Sequence, residues 1–306
     1  MRCIVTIVIA LLAALACTVA AAASFTDDSG RIITLDRPAQ RVITLAPNLT
    51  ELVYAVEAGD TLVGTVTLSD FPEAVKTVPK VGDHQRLDVE RVLKLKPDLV
   101  LVWLHGNATR ELAQLEAAGL RLFHLEPKRL DDVPRALERL GAMLGRERQG
   151  RERAQALRSE LTELRESHAA VAPVTVFYQV WQSPLMTLNR EHLISDVITL
   201  CGGRNVFGDL TQLVPQLSTE SVVVANPEVM LAARERPSDT SAQRRDPVSK
   251  SFAAWARYPR LTAVRRAWLY TLNGDTISRQ GPRIAQGARA MCAALDEVRE
   301  ERRKQP

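Results

Sequence analysis

The stretch 145–168, GRERQGRERAQALRSELTELRESH, decides how the chain is read: it holds no proline and carries charge on nearly every turn. Ala154, Leu157, Leu161 and Leu164 recur at steps of three and four and fall on one stripe, while Arg151, Arg153, Glu160 and Glu166 occupy the rest of the surface. One continuous helix with a single narrow buried face is expected. At ~1.5 Å per residue it would span roughly 36 Å, more than a turn inside one compact layer needs, so it reads as a strut joining two lobes. A peripheral amphipathic helix on a single domain is the alternative.

On either side of the strut the sequence repeats itself. ERVLKLKPDLVLVW (90–103) and ESVVVANPEVMLAA (220–233) share Glu, Val, Pro, an acid and an apolar strand at identical spacing. Proline disfavours helix in the residue before it, so each copy is expected to end a short helix before Pro97 or Pro227 and then enter a buried strand. A duplicated unit follows, and with it an α/β fold of two α/β lobes joined by a long backbone helix, with lobes at 24–144 and 171–306 and the connecting helix at 145–170. Chance recurrence of helix, proline and strand is the competing explanation.

With 306 residues, 46% hydrophobic and 25% charged, the chain can bury two modest cores, and its composition excludes a disordered or collagen-like protein. Residues 4–16, IVTIVIALLAALA, form an apolar run behind Arg2 that is short for a membrane span and is followed by Ala20 to Ala23. A secretory signal peptide over residues 1–23 and export to the periplasm are expected, with a lipoprotein anchor at Cys17 as the alternative. Cleavage after Ala23 leaves a mildly basic chain whose only cysteines are Cys201 and Cys292. In an oxidising compartment they are predicted to form a disulfide tying helix 191–201 to the C-terminal helix; two separate buried thiols are the other possibility. Short basic clusters such as Arg265–Arg266 lack interleaved aromatics, so no nucleic-acid partner is expected.

Taken in order, Phe25 to Leu35 reads as a hairpin turning at Ser29-Gly30, and RVITLAP (41–47) as a first central strand. Asn48 is expected to cap the next helix, with Glu51 completing a capping box. Trp103 ends the strand DLVLVW; ligands of open α/β sheets bind outside the carboxyl ends of the strands, so it reads as a site wall as readily as a core residue. Trp181 and Met186 follow the second lobe's first strand in the same way, and Asp275 and Arg279 lie between strand 267–272 and a final helix starting at Pro282. Residues 234–250 are polar and read as an exposed loop. The chain holds no GxSxG elbow, HExxH helix or phosphate loop, so catalysis is not expected.

Together RVITLAPNLTEL, VG followed by SDFP, ERVLKLKPDLVLVW with GN, LCGGRNVF, PQLSTE and PRI resemble the periplasmic substrate-binding proteins of ABC importers for cobalamin, haem and iron-siderophores, a class III type, and most of all the cobalamin-binding branch. The resemblance covers nearly all of the mature chain. It implies lobes that move little around a shallow cleft, a small-molecule ligand that is a cobalt corrinoid, membrane permease subunits as partners, a monomer, and no metal or cofactor of its own. Trp103 falls on a ligand-contacting tryptophan, and Asp275 with Arg279 on an acid and an arginine that reach the corrin's amide side chains. Leu68 stands where that branch has a tyrosine and Val214 where it has a tryptophan; Trp181, Phe71 or Tyr178 are candidates to replace the missing walls, with Met186 counted among the cleft residues. His84 replaces another aromatic at the cleft mouth and reads either as a ligand to cobalt or haem iron or as a surface residue.

The resemblance also implies docking to the permease through one acid on each lobe. Glu220 matches the second-lobe acid; the first-lobe position is Thr109, with Glu111 about 200° away around the helix, and Glu90, the repeat partner of Glu220, is another candidate. Haem or a ferric siderophore is the alternative ligand. A zinc or manganese receptor needs three or four converging ligands, whereas of His84, His105, His124, His168 and His192 only His84 and His105 are expected near the cleft.

Overall fold

The structure is a computed structural model, and it describes residues 22–83, 86–104, 106, 109–234, 243–244 and 251–304. The expected signal segment up to residue 21, His84, His105 and nearly all of the polar loop after Arg234 lie outside the described residues. The chain opens with β1 (Ala23–Thr26) and β2 (Ile32–Leu35), an antiparallel hairpin whose turn places Gly30 at φ 86°. In the first lobe β3 (Val42–Thr44), β4 (Leu62–Thr65), β5 (Leu99–Trp103) and β6 (Leu122–Leu125) form a parallel sheet in the order β4-β3-β5-β6.

The second lobe repeats that order. β7 (Val174–Gln179) is followed by a small hairpin of β8 (Trp181–Gln182) and β9 (Leu185–Met186), then by β10 (Gly203–Asn205), β11 (Val229–Arg234), β12 (Gln243–Arg244) and β13 (Leu269–Asn273). The sheet runs β10-β7-β11-β13, all parallel, with β12 antiparallel at the edge. In both sheets the second strand of the repeat lies outside the first, and the third and fourth lie on its other side.

The sequence repeat has a physical content in this arrangement. Lys96 and Asn226, the residues before Pro97 and Pro227, both adopt the left-handed conformation, at φ 46° and 41°, and so stop helices Val89–Lys94 and Thr219–Ala225 before the strand begins. The acid after each proline then reaches the head of the first strand. Asp98 accepts from the amides of Gln40 and Arg41 at 2.9 and 3.0 Å, and Glu228 accepts from the Thr175 amide and hydroxyl at 2.8 and 3.1 Å. One folding unit is used twice.

Strand alternation sorts each sheet into two apolar faces. Val42, Leu99, Leu101, Phe123 and Leu125 of the first sheet, and Val174, Val176, Tyr178, Val229 and Leu231 of the second, join Ala154, Leu157 and Leu161 of the strut in one continuous core. Ile43, Val100, Val102 and Leu122, and on the other lobe Phe177, Met230 and Ala232, point into two separate outer clusters. The strut, Glu147–Ser167, therefore buries its stripe in a core common to both sheets. Tyr178, a candidate for the cleft, is instead 1% exposed within that core, because its alternation places it on the inner face of β7.

The strut crosses helix Asp132–Met143 with the backbones in contact. A Cβ on Gly150 would lie 2.8 Å from the Leu137 carbonyl oxygen and 3.0 Å from the Gly141 Cα. Farther along, Arg158 holds Glu138 of the same partner helix with two bonds of 2.6 and 2.9 Å. At the far side of the second lobe Cys201, the C-cap of helix Leu193–Leu200, is disulfide-bonded to Cys292 of helix Ile284–Arg303, with Cα atoms 4.7 Å apart. Arg299 from that helix donates to the carbonyls of Ala172, Cys201 and Gly202 at 2.8, 2.6 and 3.0 Å, satisfying groups the helix end leaves open.

Gly150→Ala is expected to lower stability by about 1–2 kcal/mol in a urea titration, since the cost of spreading two touching backbones exceeds the helix propensity that alanine gains. An unchanged midpoint would mean that the helices do not approach this closely.

Candidate functional site

The carboxyl ends of both sheets open onto one cavity of about 420 Å³. Its first-lobe wall comes from Leu45 to Asn48 after β3, Val66 to Leu68 after β4, Trp103 at the end of β5 and Gly106 beyond it; its second-lobe wall is Ser278, Arg279 and Gln280 after β13. Trp103, Leu68 and Arg279, separated by up to 211 residues, thus converge. Gly106 lets the edge of the indole come close to its loop: a Cβ there would come within 2.2 Å of the indole Cδ1. Asp275 sits beside the cavity in a one-turn helix, Gly274–Ile277, whose start is capped by the Asn273 side chain accepting from the Asp275 amide at 2.9 Å.

The helix after β3 departs from the expected capping box. Pro47–Ala55 begins on Ala46 with Pro47 in its first turn, and no side chain caps it. A proline at the start needs no amide acceptor, which frees Asn48 and Glu51 for other partners. Glu51 turns toward the other lobe, where its side chain is 1% exposed. It accepts from Arg283 through Nε at 2.8 Å and a second nitrogen at 2.6 Å, and from Arg279 at 2.9 Å. Arg279 also pairs with Asp70 at 2.8 Å and Asp275 at 2.9 Å, and donates to the Leu68 carbonyl at 3.3 Å. Two arginines of the second lobe are thereby clamped to the first.

The loop that offers Leu68 and Asp70 is held from beneath. Thr44, Thr50, Thr65 and Ser69, all buried, exchange hydroxyl hydrogen bonds of 2.6 to 3.2 Å at the ends of β3 and β4. Leu68 above them is 60% exposed and left-handed, at φ 68°, a conformation that costs a non-glycine residue about 1 kcal/mol or more and aims its carbonyl at Arg279. Phe71, another candidate wall, lies under the Arg283 guanidinium with 4.1 Å from its carbon to the ring centre, so one face of the ring is already covered.

On the second lobe Trp181 and Met186 are direct cross-strand partners in the β8–β9 hairpin. Met186 also bridges to Gln216, which brings the half-buried Val214 segment alongside. Trp181 is 56% exposed, with its indole N–H donated to the Ser183 carbonyl at 2.9 Å, so what it presents outward is apolar ring. These three residues are not among those lining the 420 Å³ cavity. Trp181 and Met186 follow β7, two strands from β13, and so leave the same sheet edge about 10 Å from the turn that carries Asp275 and Arg279.

Of the histidines, His124 is buried against Asp27 at 2.9 Å, His168 pairs with Asp296 at 3.1 Å, and His192 accepts from the Ile194 amide at the start of its helix. Among the described residues no group of three His, Cys, Asp or Glu side chains is placed to hold a metal ion. Glu90 and Glu220 are exposed in the first turns of the two repeat helices, and Glu111 is half-buried in the first turn of helix Thr109–Ala117.

Residues 42–276 match the family described as periplasmic binding protein. The vitamin B12-binding protein of Vibrio cholerae serotype O1 is 34% identical over 258 residues, 84% of this chain and 90% of that relative. The crystal structure of periplasmic vitamin B12-binding protein BtuF of Vibrio cholerae superposes with a TM-score of 0.74 at 33% identity, covering 86% of this chain and 98% of that one. The periplasmic haem-binding protein RhuT from Roseiflexus superposes at 0.71 with 22% identity over 85% of this chain and 99% of that one, a likeness of fold alone.

The clamp generates a pH dependence. Burial alone pushes the Asp70 carboxyl up, but the hydrogen bond and charge of Arg279, aided by Arg283, outweigh it and hold the group below its ordinary 3.8. A depressed carboxyl adds stability that is complete above its ordinary value and fades as the pH falls through the lower folded value. Urea stability of the unliganded protein should therefore fall away below about pH 4, and Asp70→Asn should shrink that acid limb. Glu51→Gln, which leaves two guanidinium groups short of a buried charge, should lose about 2–4 kcal/mol at neutral pH. A loss below ~0.5 kcal/mol would show the contact to be idle.

Proposed function

Because the chain belongs to the periplasmic binding protein family, we propose that it is a periplasmic receptor that takes cobalamin or a related corrinoid into the cleft between its lobes and delivers it to the membrane subunits of an ABC importer. The observation that carries this reading is the convergence of Trp103, Leu68 and Arg279 on one cavity at the carboxyl ends of both sheets. The relatives named for vitamin B12 binding support the same ligand. A flat indole suits the face of a macrocycle, and Asp275 and Arg279 at its edge offer an acceptor and donors to amide side chains. Trp181 and Met186 supply apolar surface on the second lobe where Val214 has no ring.

Transport without bond chemistry fits a family of binding receptors. Export through the apolar segment 4–16 fits the Cys201–Cys292 disulfide, a bond at home in an oxidising compartment. Glu220 and its repeat equivalent Glu90, both exposed on first turns of matching helices, are the acids proposed to meet basic permease surfaces, with Glu111 as the other first-lobe candidate. Leu68 and Val214 favour one second reading, a haem or ferric-siderophore receptor of the same fold, since both lack the aromatic ring a corrin face would rest on.

Calorimetric titration of the mature protein with cyanocobalamin, haemin and a ferric siderophore separates the two. One-to-one binding of the corrinoid alone is expected, and Trp103→Ala should weaken it by about 1–3 kcal/mol. Binding of haemin or siderophore in its place would keep the receptor class and overturn the ligand.

A further inference from the structure

Among the described residues that line the cleft cavity, Arg279 is the one that carries charge, so it is the cation a ligand entering there meets. The protein itself already engages that cation. A guanidinium offers its N–H donors in a fixed fork, with two on each terminal nitrogen. One terminal nitrogen donates to Glu51 at 2.9 Å and to Asp70 at 2.8 Å, while the other donates to the Leu68 carbonyl at 3.3 Å and lies 2.9 Å from an Asp275 oxygen. Each tip of the fork thus has two internal partners. A ligand oxygen gains either tip only by replacing one of them.

The partners differ in how readily they yield. Glu51 is buried and also holds Arg283, so losing Arg279 would leave a buried charge with half its pairing. Asp275 lies four residues before Arg279 on the same lobe and moves with it. The Leu68 carbonyl belongs to a loop pinned from beneath by the Ser69 hydroxyl contacts to Thr50 and Thr65. Asp70 is the exchangeable one. Its side chain is 52% exposed, so water can take over the carboxylate, and an exposed ion pair is the weakest kind of charged contact. A second cation also stands ready: the Lys80 ammonium donates to the neighbouring Ser69 carbonyl at 3.0 Å and feels the Asp70 charge.

We propose that Asp70 is an internal stand-in for the ligand, holding an Arg279 N–H that a neutral oxygen acceptor of the ligand, an amide carbonyl, takes over on binding. Asp70 then sets affinity by working against it, with a sign opposite to that of its neighbour Asp275. The lobes stay clamped through the exchange, because Glu51 keeps both of its bonds to Arg283. The proposal rests on the corrinoid reading, whose ligand carries amide side chains, and deepens it by naming the exchange through which Arg279 engages them.

The test titrates the full mature chain, Asp70→Asn and Asp275→Asn with cyanocobalamin in a calorimeter. The first substitution keeps the size of the side chain and removes its charge, so it should bind about 3- to 10-fold tighter than wild type. Asp275→Asn should bind weaker. A residue that only held Arg279 in place would give the reverse for Asp70→Asn, a loss of affinity. Salt supplies a second readout: raising it from about 0.05 to about 0.5 M screens an exposed ion pair, so wild-type affinity should rise about 2-fold relative to that of Asp70→Asn. Equal or weaker binding by Asp70→Asn, or the same salt response in both proteins, overturns the exchange while leaving the corrinoid reading in place. A wild type that binds no cyanocobalamin overturns both.

Discussion

A single carboxylate, that of Glu51, stands between two guanidinium groups that reach it from the other lobe, and the geometry of the cleft depends on it. A charge that is 1% exposed is costly unless it is paired and hydrogen-bonded, and the nitrogens that meet it belong to Arg279 and Arg283. The lobes therefore meet at one separation rather than a range of them. Arg279 carries the constraint onward to Asp70, Asp275 and the Leu68 carbonyl, so the loops after β4 and β13 are held in register across the seam. The buried hydroxyls of Thr44, Thr50, Thr65 and Ser69 keep the first of those loops from following the arginine instead.

The hydrophobic layers act in the same direction. Two independent lobes would each have closed a core of their own, with a flexible linker between. Here the inner faces of both sheets share a core with Ala154, Leu157 and Leu161, and the Gly141–Gly150 crossing leaves no slack in the layer that joins them. A cleft built on such a frame is largely formed before anything enters it, which lowers the ordering cost of binding.

Much of this is legible in the chain itself, and the limits have physical reasons. The strut shows because an amphipathic stripe repeats locally, and the two lobes because Pro97 and Pro227 punctuate matched segments whose Asp98 and Glu228 do the same work. The cysteine pair follows from compartment and count. Glu51 is misread because spacing within a helix reports only neighbours, and its partners lie 228 and 232 residues away. Tyr178 and Phe71 are equal candidates in sequence; burial of one and the guanidinium over the other separate them, and neither is a local property. The hydroxyl cluster leaves no trace at all, since threonines in strands are common for their β-branching alone.

The disulfide has a consequence in time. Cys201 and Cys292 are 91 residues apart, and a chain exported amino end first presents the earlier thiol to the oxidising side well before its partner arrives. Until then Cys201 is a lone nucleophile on an unfinished lobe, able to exchange with whichever disulfide it meets. The helix that brings Cys292 also brings Arg299, whose guanidinium gathers the carbonyls around Cys201. The correct bond therefore cannot precede the arrival of the last helix, and it ties the beginning of the second lobe to its end.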